Sequence, residues 1–114
     1  MYYVYMLRCR GGVYYTGLTV DVARRFQTHR SGKGAKFTRA YPPEAIAAVW
    51  RCGDKGAAAR LEYAIKKRLT HRQKERLAAA PESLTAMLPE TAEWGEITVC
   101  RYEAEDIHTA KKDR

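Results

Sequence analysis

The sequence lacks several features that would assign a class at once. It has no apolar run long enough to cross a bilayer, and its opening residues MYYVYMLRCR show neither the charged lead nor the long apolar core of a secretory signal. A cytoplasmic protein is expected. Cysteines are few: Cys9, Cys52 and Cys100 lie far apart with no C-x-x-C, and His29, His71 and His108 form no H-x-x-x-H pair. These spacings argue against a zinc site and for buried free thiols in a reducing compartment. Internal repeats are absent. Carboxylates are missing altogether between Val22 and Pro43, a stretch that carries Arg24, Arg25, Arg30, Lys33, Lys36 and Arg39.

What is present is an ordinary globular composition with a strong basic bias. A chain of 114 residues is too short for two independent cores. With 46% hydrophobic and 30% charged residues it is neither disordered nor membrane-like. Lys and Arg total 21 against 13 acidic residues, a formal charge of +8. The second basic block, Lys66, Lys67, Arg68, Arg72, Lys74 and Arg76, is interrupted only by Glu75. Two one-sign patches suit a polyanionic partner, although a well-solvated surface would show the same bias.

The local signals divide the chain into short elements. Residues 2–9 alternate as a strand, Arg10-Gly11-Gly12 turns the chain, and Val13–Thr16 completes a hairpin. Thr19 and Asp21 are both N-caps for a helix running to about Arg30, with Val22 and Phe26 on its apolar face and Ser31-Gly32-Lys33-Gly34 ending it. After Pro42-Pro43, Ala45–Cys52 reads as a third strand. Asp54 caps a long helix bearing Ala58, Leu61, Ile65 and Leu69, and Thr70 with Gln73 forms a capping box that starts another helix, which stops by Pro81. Beyond it, PESLTAMLPETAEWGE is turn-rich, Ile97–Tyr102 is a short strand, and the EAEDIHTAKKDR tail frays. The expected organisation is a domain over residues 1–80 with an extension, 81–114, packed on it.

Several side chains carry possible chemistry. Tyr5 and Tyr15 sit on the two arms of the hairpin; Arg25 and His29, four apart, share a helix face; Glu62 is the sole carboxylate between Lys55 and His71. Each has an ordinary structural explanation. Tyrosines favour strands, and Glu62 is spaced to pair with Lys66. One geometric condition can be set in advance. A two-residue Gly11-Gly12 turn would put Tyr5 and Tyr15 on opposite sheet faces, so a shared site requires a three-residue loop or a bulge with glycine at positive φ.

Taken in order, Tyr3-Val4-Tyr5, Tyr15-Thr16-Gly17, Asp21-x-x-Arg24-Arg25-x-x-x-His29 and Glu62 within LEYAIKK resemble the GIY-YIG nuclease superfamily, in particular its small stand-alone bacterial members. The stretch SGKGAKFTR, residues 31–39, is similar to that subgroup and more specific than either tripeptide. The first motif lacks its glycine, the second has Thr for Ile, and the late asparagine of some members has no evident counterpart.

The resemblance covers about residues 1–80 and implies an α/β (α+β) fold, with a small central antiparallel sheet of three strands flanked by helices; the strand read at Ile97–Tyr102 would be an extra, C-terminal one outside it. It implies a metal-dependent endonuclease hydrolysing phosphodiester bonds in DNA, RNA remaining open, structure-selective and used in DNA repair or processing. The family's catalytic positions map onto Tyr5, Tyr15, Arg25, His29 and Glu62, with Glu62 the ligand of one Mg²⁺ or Mn²⁺. No small-molecule cofactor and no membrane partner are expected. Tyr5 as phenolate could take the proton of the attacking water if Arg25 or a cation lowers a pKa normally about 10. Arg25 would grip the phosphoryl oxygens, Tyr15 and His29 would orient phosphate or water, and either tyrosine could be the base. Nucleic acid would lie on Arg24, Lys33, Lys36, Arg39, Lys66 and Lys67. Two other readings stand beside this one: a non-catalytic nucleic-acid-binding module on the same fold, and a protein-interaction domain that leaves the charge unexplained.

Overall fold

A computed structural model describes residues 1–101 of the chain. Strand β1 (Tyr2–Cys9) and strand β2 (Val13–Thr19) form an antiparallel hairpin with Cys9 opposite Val13, which leaves Arg10, Gly11 and Gly12 as a three-residue loop. Gly11 and Gly12 both take positive φ, 87° and 74°, which side chains rarely adopt. The consequence is parity. Tyr15 lies opposite Leu7, so Tyr5, Leu7 and Tyr15 point to one side of the sheet, as a shared site requires. Strand β2 runs three residues beyond the expected Thr16, because Gly17, Leu18 and Thr19 continue the pairing with Tyr5, Val4 and Tyr3.

Helix α1 (Val22–Arg30) starts at Asp21, whose carboxylate accepts the Arg24 N–H at 3.1 Å. Of the two possible caps Asp21 is used; Thr19 instead ends β2. A five-residue helix, α2 (Lys36–Ala40), follows where no helix was expected. Strand β3 (Pro43–Cys52) begins two residues earlier than Ala45, with Pro43 opposite Cys9 at the end of the ladder, a position proline tolerates. Helix α3 (Lys55–Arg68) is capped by Asp54, which accepts the Ala57 N–H at 2.8 Å. Helix α4 (His71–Ala79) opens with the reciprocal capping box: Thr70 Oγ1 accepts from Gln73 N at 3.1 Å and Gln73 Oε1 accepts from Thr70 N at 2.8 Å. Both caps satisfy backbone donors that a helix N-terminus leaves unpaired.

The sheet has four strands, not three, in the order β2-β1-β3-β4, because β4 (Ile97–Cys100) pairs antiparallel with β3. Between α4 and β4 the chain is not simply turns. It forms helix α5 (Leu84–Met87) between two short 3-10 segments, Pro81–Ser83 and Pro89–Glu93. Leu84 and Leu88 sink into the core, and the Pro81 carbonyl accepts the Trp50 indole N–H at 3.1 Å. The EAEDIHTAKKDR tail and Tyr102, the expected end of the last strand, lie outside the described residues.

The two sheet faces are built differently. Val4, Met6, Ala48, Trp50 and Cys52 face α3, α4 and α5 over an apolar core that includes Leu61, Ile65 and Leu77. On the other face Tyr5, Leu7, Cys9 and Val49 pack against Val22 and Phe26 of α1. The expected buried thiols are free; Cys9 and Cys52 are buried and Cys100 is half-buried. No helix among the described residues is long and apolar enough to cross a membrane.

Candidate active site

On the α1 face, Tyr5 and His29 are each only 1% exposed, and the Tyr5 hydroxyl stands 2.8 Å from His29 Nε2. Helix periodicity turns His29 inward beside Val22 and Phe26, while Arg25 remains half-buried on the same helix. Two glycines make the approach possible. A β-carbon at Gly17 would collide with the Tyr5 hydroxyl, and one at Gly34 would collide with His29 Nδ1. The glycine of Tyr15-Thr16-Gly17 is thus a steric requirement for laying the Tyr5 ring across β2 toward its outer edge. Tyr15 completes the group, its ring centroid 4.9 Å from that of His29 and 6.3 Å from that of Tyr5.

Charge reaches this group from both sides of the sheet edge. The Arg25 guanidinium lies close enough to pull the Tyr5 phenol pKa down and acts on Tyr15 and His29 as well. Glu62 stands on α3, against the opposite sheet face, yet its charge is felt at both Tyr5 and Tyr15. Its carboxylate also makes the i,i+4 pair with Lys66 at 3.8 Å, and Lys66 extends over the Tyr15 ring at 5.7 Å from the centroid. Tyr5, Tyr15 and His29 are therefore in direct contact, and Arg25 and Glu62 stand near enough for their charges to act on the tyrosines, with Glu62 serving an ion pair as well.

Protonation states correct one expectation. Burial pushes the Tyr5 phenol up to about 12, outweighing the hydrogen bond and positive charge of Arg25, with Tyr15 and Glu62 adding to the rise. Arg25 alone does not make Tyr5 a phenolate; desolvation of the anion wins. Tyr15 is also raised, chiefly by burial. Burial, with Arg25 beside it, brings His29 down to about 4, so at neutral pH the imidazole is uncharged and has a lone pair to offer.

Of the basic residues expected to hold nucleic acid, Lys36 and Lys66 line one open pocket of about 410 Å³ with Tyr14, Tyr15, Thr16, Ala35, Phe37 and Lys74. The two basic blocks of the sequence meet there. Lys74 is depressed by burial and by the positive charges of Lys66 and Lys67, the signature of a cluster that gains by meeting an anion. Arg24, Lys33, Arg39 and Lys67 are exposed but do not line this pocket. Three contributors escaped the sequence reading of the site. Thr38 is buried against His29, and Phe37 packs at a tilt between Tyr15 and Tyr41 at centroid distances of 5.8 and 5.2 Å; both sit on the unexpected helix α2 inside SGKGAKFTR. Gly34 lies in the same stretch, whose specificity was the only signal available for any of the three.

For a divalent ion the donor set is narrow. Among the described residues no group of three or more His, Cys, Asp or Glu side chains gathers, and the chain has no asparagine to stand in for the late one of some family members. The single carboxylate of Glu62 still fits a hard, magnesium-like ion, which commonly takes one or two carboxylates and fills its shell with water and substrate phosphate oxygens.

Comparison with known proteins identifies the family. The GIY-YIG catalytic domain profile matches residues 1–76. A UPF0213 protein of Citrobacter koseri is 46% identical over 87 residues, covering 76% of this chain and 86% of that protein. The UPF0213 protein YhbQ of Salmonella typhimurium is 45% identical over the same shares of the two chains. The solution NMR structure of the UPF0213 protein BH0048 from Bacillus halodurans is 44% identical and covers 77% of this chain and 97% of that one, with a TM-score of 0.45. The chain belongs to the GIY-YIG catalytic domain family, a family of endonucleases that generally use a divalent metal, and its relatives are the small bacterial UPF0213 proteins.

Proposed function

We propose that the protein is a metal-dependent endonuclease that hydrolyses phosphodiester bonds in DNA, structure-selective rather than sequence-specific, acting in the cytoplasm in DNA repair or processing. The observation that carries this reading is the buried Tyr5–His29 hydrogen bond with Arg25 and Glu62 in electrostatic contact with it.

A Mg²⁺ or Mn²⁺ held by Glu62 would supply Lewis-acid relief of charge at the leaving oxygen. The chain's own residues account for the rest. A phenol near 12 is a poor source of free phenolate, but a paired phenol needs none. As the water proton moves to the Tyr5 oxygen, the phenol's own proton moves to His29 Nε2, and the hydroxide so formed attacks phosphorus. The bond from phosphorus to the 3′ oxygen breaks, that oxygen takes a proton from solvent, and His29 returns its proton to the Tyr5 oxygen as Tyr5 releases the water-derived proton to solvent. A bound phosphodiester, being negative, raises the proton affinity of His29 and offsets the neighbouring Arg25. Arg25 offers its planar fork to the non-bridging oxygens, where charge grows in the transition state. Tyr15, packed on His29 and under Lys66, orients the phosphate. Lys36, Lys66 and Lys74 neutralise flanking phosphates around the pocket, while Arg24, Lys33, Arg39 and Lys67 contribute a weaker, more distant field.

One observation favours the alternative, a binding module without catalysis: the raised pKa of Tyr5. The deciding experiment is a cleavage panel of single-stranded, duplex, flapped and junction DNA, with Mg²⁺, with Mn²⁺ and with chelator. Metal-dependent products on at least one substrate are expected. Binding to every substrate with no product under either metal would leave the binding module as the better reading.

A further inference from the structure

Thr38 of α2 is 1% exposed, and its hydroxyl oxygen lies 2.7 Å from His29 Nδ1 and 3.0 Å from the Ala35 carbonyl. We propose that Thr38 is a positioning residue that holds His29 in its Nδ1–H tautomer, so that Nε2 presents a lone pair to Tyr5. The structural part stands by itself; its kinetic consequence rests on the nuclease reading above.

The argument is one of polarity in a closed chain of hydrogen bonds. The Thr38 hydroxyl has one proton and two neighbours that can accept it. If that proton goes to the Ala35 carbonyl, Thr38 Oγ1 accepts from His29 Nδ1–H, Nε2 is left with its lone pair, and the Tyr5 hydroxyl donates to it. Each donor and acceptor of the Tyr5, His29 and Thr38 side chains in this chain of bonds then has a partner. If instead Thr38 donates to Nδ1, then Nε2–H must donate to the Tyr5 oxygen. The phenol proton is left with no acceptor among the described residues, beside an Arg25 guanidinium that can only donate. The first polarity leaves nothing unmet and the second strands a buried donor.

Local structure fixes the ring edge that meets Thr38. The segment from Gly34 to Thr38 lies flush against the Nδ1 edge of the ring, where a β-carbon on Gly34 would collide with Nδ1. Thr38 also keeps its role through the proposed reaction. When Nε2 takes the phenol's proton, the imidazolium still donates Nδ1–H to Thr38, so no group must turn.

The test reads the tautomer directly, by long-range ¹H–¹⁵N NMR of the histidine-labelled full chain at neutral pH without substrate. Wild type and Thr38→Ser should show His29 protonated at Nδ1 and bare at Nε2. Thr38→Val, which keeps the shape but loses the acceptor, should shift His29 toward the Nε2–H form. Its kcat for DNA cleavage should fall roughly 10-fold or more with KM little changed, and Thr38→Ser should restore it. An Nε2–H imidazole in the wild type would overturn the proposal without any variant. So would a folded Thr38→Val that keeps the Nδ1–H form and full activity. A chain that cuts nothing would end the nuclease reading, and the wild-type spectrum would still decide this one.

Discussion

The two faces of the sheet solve opposite problems with the same strands. The α3 face buries Val4, Met6, Trp50, Leu61 and Ile65, and the polar groups it takes in are met by nearby backbone, the Trp50 indole N–H by the Pro81 carbonyl and the Thr91 hydroxyl by that of Leu88. The α1 face gives up some of that dryness to bury a tyrosine, a histidine and a threonine joined end to end. Alternation along β1 separates the two roles residue by residue: Val4 and Met6 go to stability, Tyr5 to chemistry. The comparison teaches that one apolar layer can carry the fold while the other face is free to bury titratable groups in shifted, neutral forms.

If that division is real, the largest response to a single change should come from the α3 face and register in folding alone. Leu61→Ala, at a fully buried position, should cost about 2–5 kcal/mol in denaturant unfolding. The surviving folded fraction should cut at the normal rate, and a selective loss of turnover would blur the distinction. Arg25→Ala is the counterpart on the other face. It should lower turnover roughly 10²-fold, as one preorganised electrostatic group does, with a smaller loss of DNA affinity and little change in melting.

The pH dependence of stability sharpens the contrast further. The unfolded imidazole has its ordinary pKa near 6.5, whereas folded His29 is held down to about 4. Below 6.5 the unfolded chain binds a proton that the folded chain refuses. Stability from this group is therefore complete above about pH 6.5 and drains away as pH falls toward 4, by at most about 3 kcal/mol. His29→Gln should flatten that segment of the curve; an unchanged curve would mean that burial does not hold the ring neutral. The smallest effect belongs to the basic pocket. Replacing Lys36 or Lys74 by Ala should reduce the slope of log affinity against log salt by about 0.9 each for duplex DNA and leave the unfolding midpoint alone.

How much of this was legible in the sequence depends on the range of the interaction. Helix starts at Asp54 and Thr70 are set by bonds within four residues and could be read directly. The shared face of Tyr5 and Tyr15 could be reasoned from parity, and the three-residue loop required by that reasoning is present. Helix α2 escaped because five residues are too few to show a period. Thr38 escaped with it. The Tyr5 phenolate was expected on the condition that Arg25 or a cation lowers its pKa, whereas that pKa is set mainly by burial, which only packing determines. Glu62 was expected at the tyrosines through the family resemblance, whereas the reach of Lys66 from a helix on the far face over the Tyr15 ring follows only from packing.

The central claim is that Glu62 serves the chemistry at that edge and not the fold. The most direct measurement compares wild type with Glu62→Gln on one labelled DNA, following binding and cutting together in Mg²⁺ or Mn²⁺. The substitution keeps the side chain's size and removes the charge that a hard cation needs. Equal or tighter binding with no metal-dependent cleavage, in a variant that melts with wild type, is the predicted result. Cleavage at the wild-type rate by Glu62→Gln would contradict the account, leaving Glu62 as no more than the partner of Lys66.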